Sequence, residues 1–124
     1  MKKINIILPI HNEEKNITKL FKEIESLQIK NYELEIIFVD DGSTDESLIV
    51  IKSLLQQYQN IKYLSFSKNF GHQIALTASL NYADGDAVIM MDCDFQHPVK
   101  NIPNMIKKFE ENYDVVQMVK KNQG

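Results

Sequence analysis

Hydrophobic and polar residues alternate along the chain in blocks of two kinds. Short apolar runs rich in branched and aromatic side chains predict β-strands, because such residues fit a pleated, half-buried surface. Between these runs, apolar residues recur every three or four positions, which is the spacing of one face of an amphipathic helix. The predicted strands are Ile4–Ile10, Leu34–Val39, Ile61–Phe66, Ala87–Met91 and Tyr113–Val119.

Four helices are predicted in the intervals between the strands. The spacing of Ser43 and Glu46 predicts a capping box at the start of the second helix. The third helix, Gln73–Tyr82, is rich in small residues, and Pro98 is placed to open the fourth. The predicted buried faces are Ile17, Leu20, Phe21, Ile24 and Leu27 in the first helix, Leu48, Ile51, Leu54, Leu55 and Tyr58 in the second, and Ile102, Met105, Ile106 and Phe109 in the fourth.

This strand–helix alternation predicts an α/β fold, a mainly parallel sheet with helices on both faces. Crossovers between parallel strands are almost always right-handed, so the carboxyl ends of the strands meet at one edge. Ligands of such sheets bind at that edge. With no internal repeat or linker, residues 1–124 are predicted to form one unit.

Acidic residues follow three of the predicted strands. Carboxylates brought to one edge repel each other, so they must be spread apart, protonated or bridged by a cation. Oxygen ligands of this kind suit Mg²⁺ or Mn²⁺ better than Zn²⁺. The residues are Glu13 and Glu14 after the first strand, Asp40 and Asp41 after the second, and Asp92 and Asp94 after the fourth.

The stretch Asp92-Cys93-Asp94 is the candidate metal site. In an extended chain Asp92, Asp94 and Gln96 share one side, where three side-chain oxygens can ligate one ion. Cys93 faces the other way, as a small hydrophobic residue. An isolated Asp-x-Asp is also common in turns that precede helices. The triplet alone therefore leaves both interpretations open.

Composition excludes several classes of function. The net charge is −3 and all 14 basic residues are Lys, which argues against a nucleic-acid binder with a concentrated basic face. Without Arg, a bound phosphate would need Lys, backbone N–H groups or a metal. The single cysteine permits no internal disulfide and favours a reducing, cytoplasmic location. No run approaches the roughly 18 apolar residues of a membrane span.

Four motifs in order carry a resemblance to a known family. They are Leu8–Ile17, Phe38–Asp45, Ser67–His72 and Met91–Pro98. Over roughly residues 4–119 the chain resembles the N-terminal part of inverting glycosyltransferases of family 2 type with the GT-A fold, a Rossmann-like nucleotide-sugar-binding arrangement. It is most like the subgroup that acts on polyprenyl phosphates, such as dolichol-phosphate mannose synthases and bacterial bactoprenol glycosyltransferases.

The resemblance implies a metal-dependent site for a UDP- or GDP-linked sugar. The implied nucleotide-sugar residues are Pro9, His11, Glu13, Asp40, Asp41, Lys68, Asn69 and Asp92, and the implied Mg²⁺ or Mn²⁺ ligands are Asp92, Asp94 and Gln96. Either Asp40 or Asp41 would hold the base. His11 departs from the pattern, since many relatives carry Tyr or Phe there.

The resemblance also implies what lies beyond the donor site. A catalytic base is expected after Gly124, so the chain alone is expected to have little or no transfer activity. The acceptor is expected to be a membrane lipid, reached at the cytoplasmic face. The sheet edge exposed by such a truncation could pair with a second copy, giving a homodimer.

Two other classes of function fit parts of the pattern. A receiver-like phospho-acceptor domain also places acids at strand ends, but it needs its acid pair after the first strand. A sugar nucleotidyltransferase needs a glycine-rich basic loop near its N-terminus, and Pro9–Glu14 has neither Gly nor a positive charge. A dehydrogenase is excluded because no G-x-G-x-x-G follows a strand.

Overall fold

Strands and helices alternate along the chain as the pattern predicts. In the computed structural model, residues 2–91 and 99–111 are described in full and residues 115–117 by their backbone. The strands are β1 (Lys2–Ile10), β2 (Tyr32–Asp41), β3 (Ile61–Phe66), β4 (Ala87–Met90) and β5 (Val115–Gln117). The helices are α1 (Ile17–Glu25), α2 (Ser47–Gln57), α3 (His72–Tyr82) and α4 (Ile102–Glu110), the last preceded by a 3₁₀ turn at Val99–Asn101.

The strands form one parallel sheet in the order β3-β2-β1-β4-β5. The chain therefore builds outward from β1 in one direction and then returns to the other side of β1 with β4. In an open α/β sheet, the crevice at such a reversal is the usual ligand site. Here it lies between the carboxyl ends of β1 and β4.

Helices cover both faces of the sheet, which confirms the predicted fold class. On one face, side chains such as Ile6 and Leu8 of β1 pack in a core with α1, α2 and α4. On the other face, Ile7 packs with Ala75 and Leu76 of α3. Apolar side chains on both sides of β1 explain why the central strand reads as a continuous hydrophobic run. None of the helices in the described residues has the length and apolar character to cross a bilayer.

The predicted capping box of α2 is wrong. The helix begins at Ser47, and no side chain of its N-cap residue Glu46 caps it. The Ser43 hydroxyl instead accepts a hydrogen bond from the N–H of Asn12, and Asp45 accepts one from the N–H of Ser47 at 2.9 Å. Burial opposes ionisation of Asp45, but hydrogen bonds from Ser47 and from the N–H of Glu14 outweigh it and lower the pKa of this carboxyl.

The proline predicted to open α4 is not among the described residues. Pro98 lies outside the described residues, and the proline in the first turn of this helix is Pro103. The predicted face is confirmed, since Ile102 and Ile106 are buried and Met105 and Phe109 pack against the same core.

A polar cluster lies at the amino ends of the strands, opposite the candidate site. The fully buried Asn5 side chain donates to Glu35 at 3.0 Å and accepts from the N–H of Gly85. The Glu35 carboxylate lies 3.3 Å from the Lys62 ammonium, and this hydrogen bond raises the pKa of Lys62. The cluster fixes β1, β2, β3 and the turn before β4 relative to one another.

Candidate functional site

Asn12 joins the turn after β1 to the turn after β2. Its backbone has a positive φ of 55°, which asparagine tolerates better than most residues. Its side-chain oxygen accepts hydrogen bonds from the N–H of Thr44 at 2.8 Å and of Asp45 at 3.2 Å. Asn12 is a residue of the site that the motifs did not single out, although asparagine after a strand is a known signal for such turns.

Glu13 is held in the same pair of turns. Its N–H donates to the hydroxyl of the buried Ser47 at 2.9 Å. Its carboxylate accepts a hydrogen bond from the Asn16 amide at 2.7 Å, directly before α1. Glu13 is half-buried beside the candidate site. Its hydrogen bond with Asn16 holds the carboxylate within the turn after β1.

The two acids at the end of β2 have different partners. Asp40 is buried, and its carboxylate accepts from the N–H of Ser43 at 3.3 Å, within the turn that follows. Asp41 is also buried, and its carboxylate accepts from the N–H of Phe70 at 2.8 Å and of Gly71 at 3.0 Å. Asp41 thus ties β2 to the segment after β3, whereas Asp40 stabilises its own turn.

The residues Lys68–Gly71, here called the 68–71 loop, lie directly against the turn after β2. Gly42 has a φ of 67°, and a Cβ added there would overlap the backbone of Lys68 and Asn69. The Lys68 ammonium lies 5.2 Å from the centre of the Phe70 ring, which is 42% exposed. A cation and an aromatic surface are therefore presented together at this edge.

His11 lies between the end of β2 and the 68–71 loop. Its Nδ1 is 3.0 Å from the backbone oxygen of Asp41, and its Nε2 is 3.3 Å from the side-chain nitrogen of Asn69. The ring is exposed, so it is accessible to a ligand as well as bonded to its neighbours. His11, Asp41 and Asn69, which are far apart in sequence, form one contact network.

The structure places the other predicted site residues as follows. Pro9 is half-buried near the end of β1, paired with Val39 of β2. Asp92, Asp94 and Gln96 lie outside the described residues, as do Cys93 and His97. Within residues 2–91 and 99–111, no three acidic, histidine or cysteine side chains converge as a metal site would require.

The β4 strand ends beside β1, at the carboxyl edge of the sheet. The N–H of Met91, the last described residue before Asp92, donates to the backbone oxygen of Ile7 at 3.1 Å. The chain therefore leaves β4 beside β1, at the reversal of strand order.

Solved structures with the same fold hold nucleotides. The chain is similar to Staphylococcus aureus TarS (residues 1–349) in complex with UDP-GlcNAc, with 26% identity and a TM-score of 0.72 over 88% of this chain and 31% of that one. It is also similar to glucosyl-3-phosphoglycerate synthase of Mycobacterium tuberculosis in complex with Mn²⁺, UDP and glucosyl-3-phosphoglycerate, with 25% identity and a TM-score of 0.69 over 87% of this chain and 39% of that one.

Sequence comparison also finds glycosyltransferases. The chain is 41% identical over 115 residues to the bactoprenol glucosyl transferase of Shigella phage SfV, which covers 92% of this chain and 38% of that relative. This chain thus spans less than two-fifths of the length of that relative. The model of glycosyl transferase family 2 matches residues 5–123. With nearly the whole chain matched, the protein belongs to glycosyl transferase family 2.

Proposed function

We propose that the carboxyl edge of this sheet binds a nucleoside-diphosphate sugar as donor for inverting glycosyl transfer. The contact network of His11, Asp41 and Asn69 carries the proposal, because it gathers polar groups from the carboxyl ends of β1, β2 and β3, and ligands of open α/β sheets bind at this edge. The UDP-GlcNAc complex of the S. aureus relative supports a nucleotide sugar as the ligand class.

Each residue at this edge has a proposed role. Pro9, His11 and Glu13 line the nucleotide pocket, and Asp40 or Asp41 holds the base. Lys68 and Asn69 lie near the diphosphate, where the Lys68 ammonium supplies positive charge in a chain without Arg. Asp92 contacts both the donor and the metal.

The proposed metal is Mg²⁺ or Mn²⁺, held by Asp92, Asp94 and Gln96. Two carboxylates and an amide oxygen form a hard donor set that suits either ion. The mycobacterial relative that holds Mn²⁺ together with UDP supports this assignment. The ion would offset the negative charge of the departing nucleoside diphosphate.

The proposed acceptor is a polyprenyl phosphate at the cytoplasmic face of a membrane. The printed name of the Shigella phage relative, a bactoprenol glucosyl transferase, supports this class. The acceptor oxygen attacks the anomeric carbon on the side opposite the diphosphate, which inverts its configuration. We assign the base that deprotonates the acceptor to the part of the relatives that this chain does not cover.

The alternative of a receiver-like signalling domain is not supported. Such domains have the strand order 2-1-3-4-5, whereas this sheet has the order β3-β2-β1-β4-β5. The family assignment likewise favours a glycosyltransferase over a sugar nucleotidyltransferase.

Calorimetric titration of the Lys68→Ala variant tests the proposed diphosphate site. With Mn²⁺ present, we expect Lys68→Ala to bind UDP or GDP roughly three- to thirtyfold more weakly, because an ammonium that contacts phosphate is lost. Lys52→Ala, at an exposed position of α2, is the matched control and should bind like the wild type. Equal affinities in both variants would contradict the assignment of Lys68.

A further inference from the structure

We infer that His11 is a positioning residue, whose ring donates from Nδ1 and accepts at Nε2 and so ties the 68–71 loop to the end of β2. The inference rests on the proposed function in one respect, namely that this loop forms one side of the donor pocket. The tautomer itself follows from the hydrogen-bond partners of the ring.

The Nδ1 side of the ring faces a group that can only accept. The backbone oxygen of Asp41 lies 3.0 Å from Nδ1 and has no proton to donate. The hydrogen bond therefore requires the proton on Nδ1. In free histidine this is the less populated neutral tautomer, so the fold selects it.

The Nε2 side leads independently to the same tautomer. The Asn69 oxygen Oδ1 accepts a hydrogen bond from the N–H of Gly71 at 2.8 Å, so the amide nitrogen Nδ2 is the atom turned toward His11. A flipped amide would place two donors against each other at Gly71. Nδ2 is a donor, and Nε2 must therefore accept.

The two hydrogen bonds give the 68–71 loop a second connection to the same residue. The Asp41 carboxylate binds the N–H groups of Phe70 and Gly71 directly. The Asp41 carbonyl reaches Asn69 through the His11 ring. A phenylalanine at position 11 would keep an aromatic face but could make neither bond.

Nitrogen-15 NMR of the histidine rings tests the tautomer without any ligand. In alkaline buffer, where imidazole rings are neutral, we expect His11 to show a protonated Nδ1 and an unprotonated Nε2. The spectrum of His11→Phe identifies its signals among those of His72 and His97. Asn69→Asp places an acceptor before Nε2 and should shift the ring toward protonation there. A wild-type ring protonated on Nε2, or a ring indifferent to Asn69→Asp, would overturn the inference.

Nucleotide titration of the same variants tests the consequence for binding. We expect His11→Phe to weaken UDP or GDP binding in the presence of Mn²⁺ by roughly three- to tenfold, the loss expected for one or two exposed hydrogen bonds. Circular dichroism would establish that the variant is folded. Unchanged affinity in a folded His11→Phe would overturn the positioning role. Absence of binding by the wild type would instead contradict the proposed function. The NMR measurement would still test the hydrogen bonds of His11, because it needs no ligand.

Discussion

Gly42 allows two segments to meet at the edge of the candidate site. It combines a left-handed backbone with a close approach of the 68–71 loop, so it has neither the φ nor the space for a side chain. Gly71 also has a positive φ, of 98°, but a Cβ there would meet no atom within 4 Å. A side chain at Gly42 would therefore meet both backbone strain and steric overlap, whereas a side chain at Gly71 would meet backbone strain alone.

Gly42→Ala is predicted to destabilise the fold by at least about 2 kcal/mol. A left-handed alanine costs about 1–2 kcal/mol, and overlap with backbone atoms cannot be relieved by a change of rotamer. Urea denaturation measures the difference. Gly71→Ala is the comparison for strain without overlap, and it is also expected to lose stability because φ 98° with ψ 159° is a conformation that almost only glycine adopts. A Gly42→Ala variant as stable as the wild type would contradict the close approach of the 68–71 loop to Gly42.

At the scale of single residues, the sequence predicted which positions lie near the edge but not their bonds. His11, Asp41 and Asn69 are all in motifs, and the structure brings them into contact. The pattern did not distinguish Asp40 from Asp41, because both end the same strand and the difference lies in Asp41, whose partner Phe70 is 29 residues away, whereas Asp40 bonds within its own turn. Asn12 was missed for the same reason, since its partners are more than 30 residues away.

The strands are fixed at their amino ends by the polar cluster around Asn5. This fully buried amide bonds to Glu35 of β2 and to the turn before β4, so it links three neighbouring elements. By contrast, the side chain of Asp84, which pairs with Lys3 and Lys62 at the rim of the cluster, is 54% exposed.

Asn5→Ala is predicted to lower the free energy of unfolding by about 2–4 kcal/mol. The variant leaves the Gly85 N–H without its acceptor and removes a donor from the buried Glu35 carboxylate. Asp84→Ala, which removes only exposed ion pairs, is expected to have a much smaller effect. Denaturant unfolding of both variants makes the comparison. Equal effects would mean that the buried amide is not what links the elements.

At the scale of elements, the periodic patterns predicted the helices and strands but not their ends. β1 and β2 begin earlier than predicted, at Lys2 and Tyr32, because the two segments pair with each other there. Lys2, Lys3 and Glu33 give no apolar signal, and a single aromatic residue such as Tyr32 does not mark a strand, so only the pairing partner reveals where these strands begin. The start of α2 was misjudged because Ser43 is engaged by the turn after β1 instead of the helix.

At the scale of the whole molecule, alternation of strands and helices was sufficient to predict a parallel α/β sheet, and it indicates the edge at which we propose that the ligand binds. The lateral order of the strands was not predictable from the pattern, since a periodic run carries no information about its neighbours. That order matters for function because it brings the end of β4, which leads into the acidic stretch Asp92–Asp94, beside β1.

Metal dependence of nucleotide binding tests the central claim most directly. Calorimetric titration of the folded chain with UDP, GDP and their sugars should show binding of at least one of them with Mn²⁺ and a loss of at least about tenfold when the metal is chelated. Asp94→Asn should lose most of this metal dependence, whereas Asp84→Asn, at the opposite edge, should keep it. Absence of binding by any of these nucleotides, or affinity that is unchanged by chelation, would contradict a metal-assisted donor site.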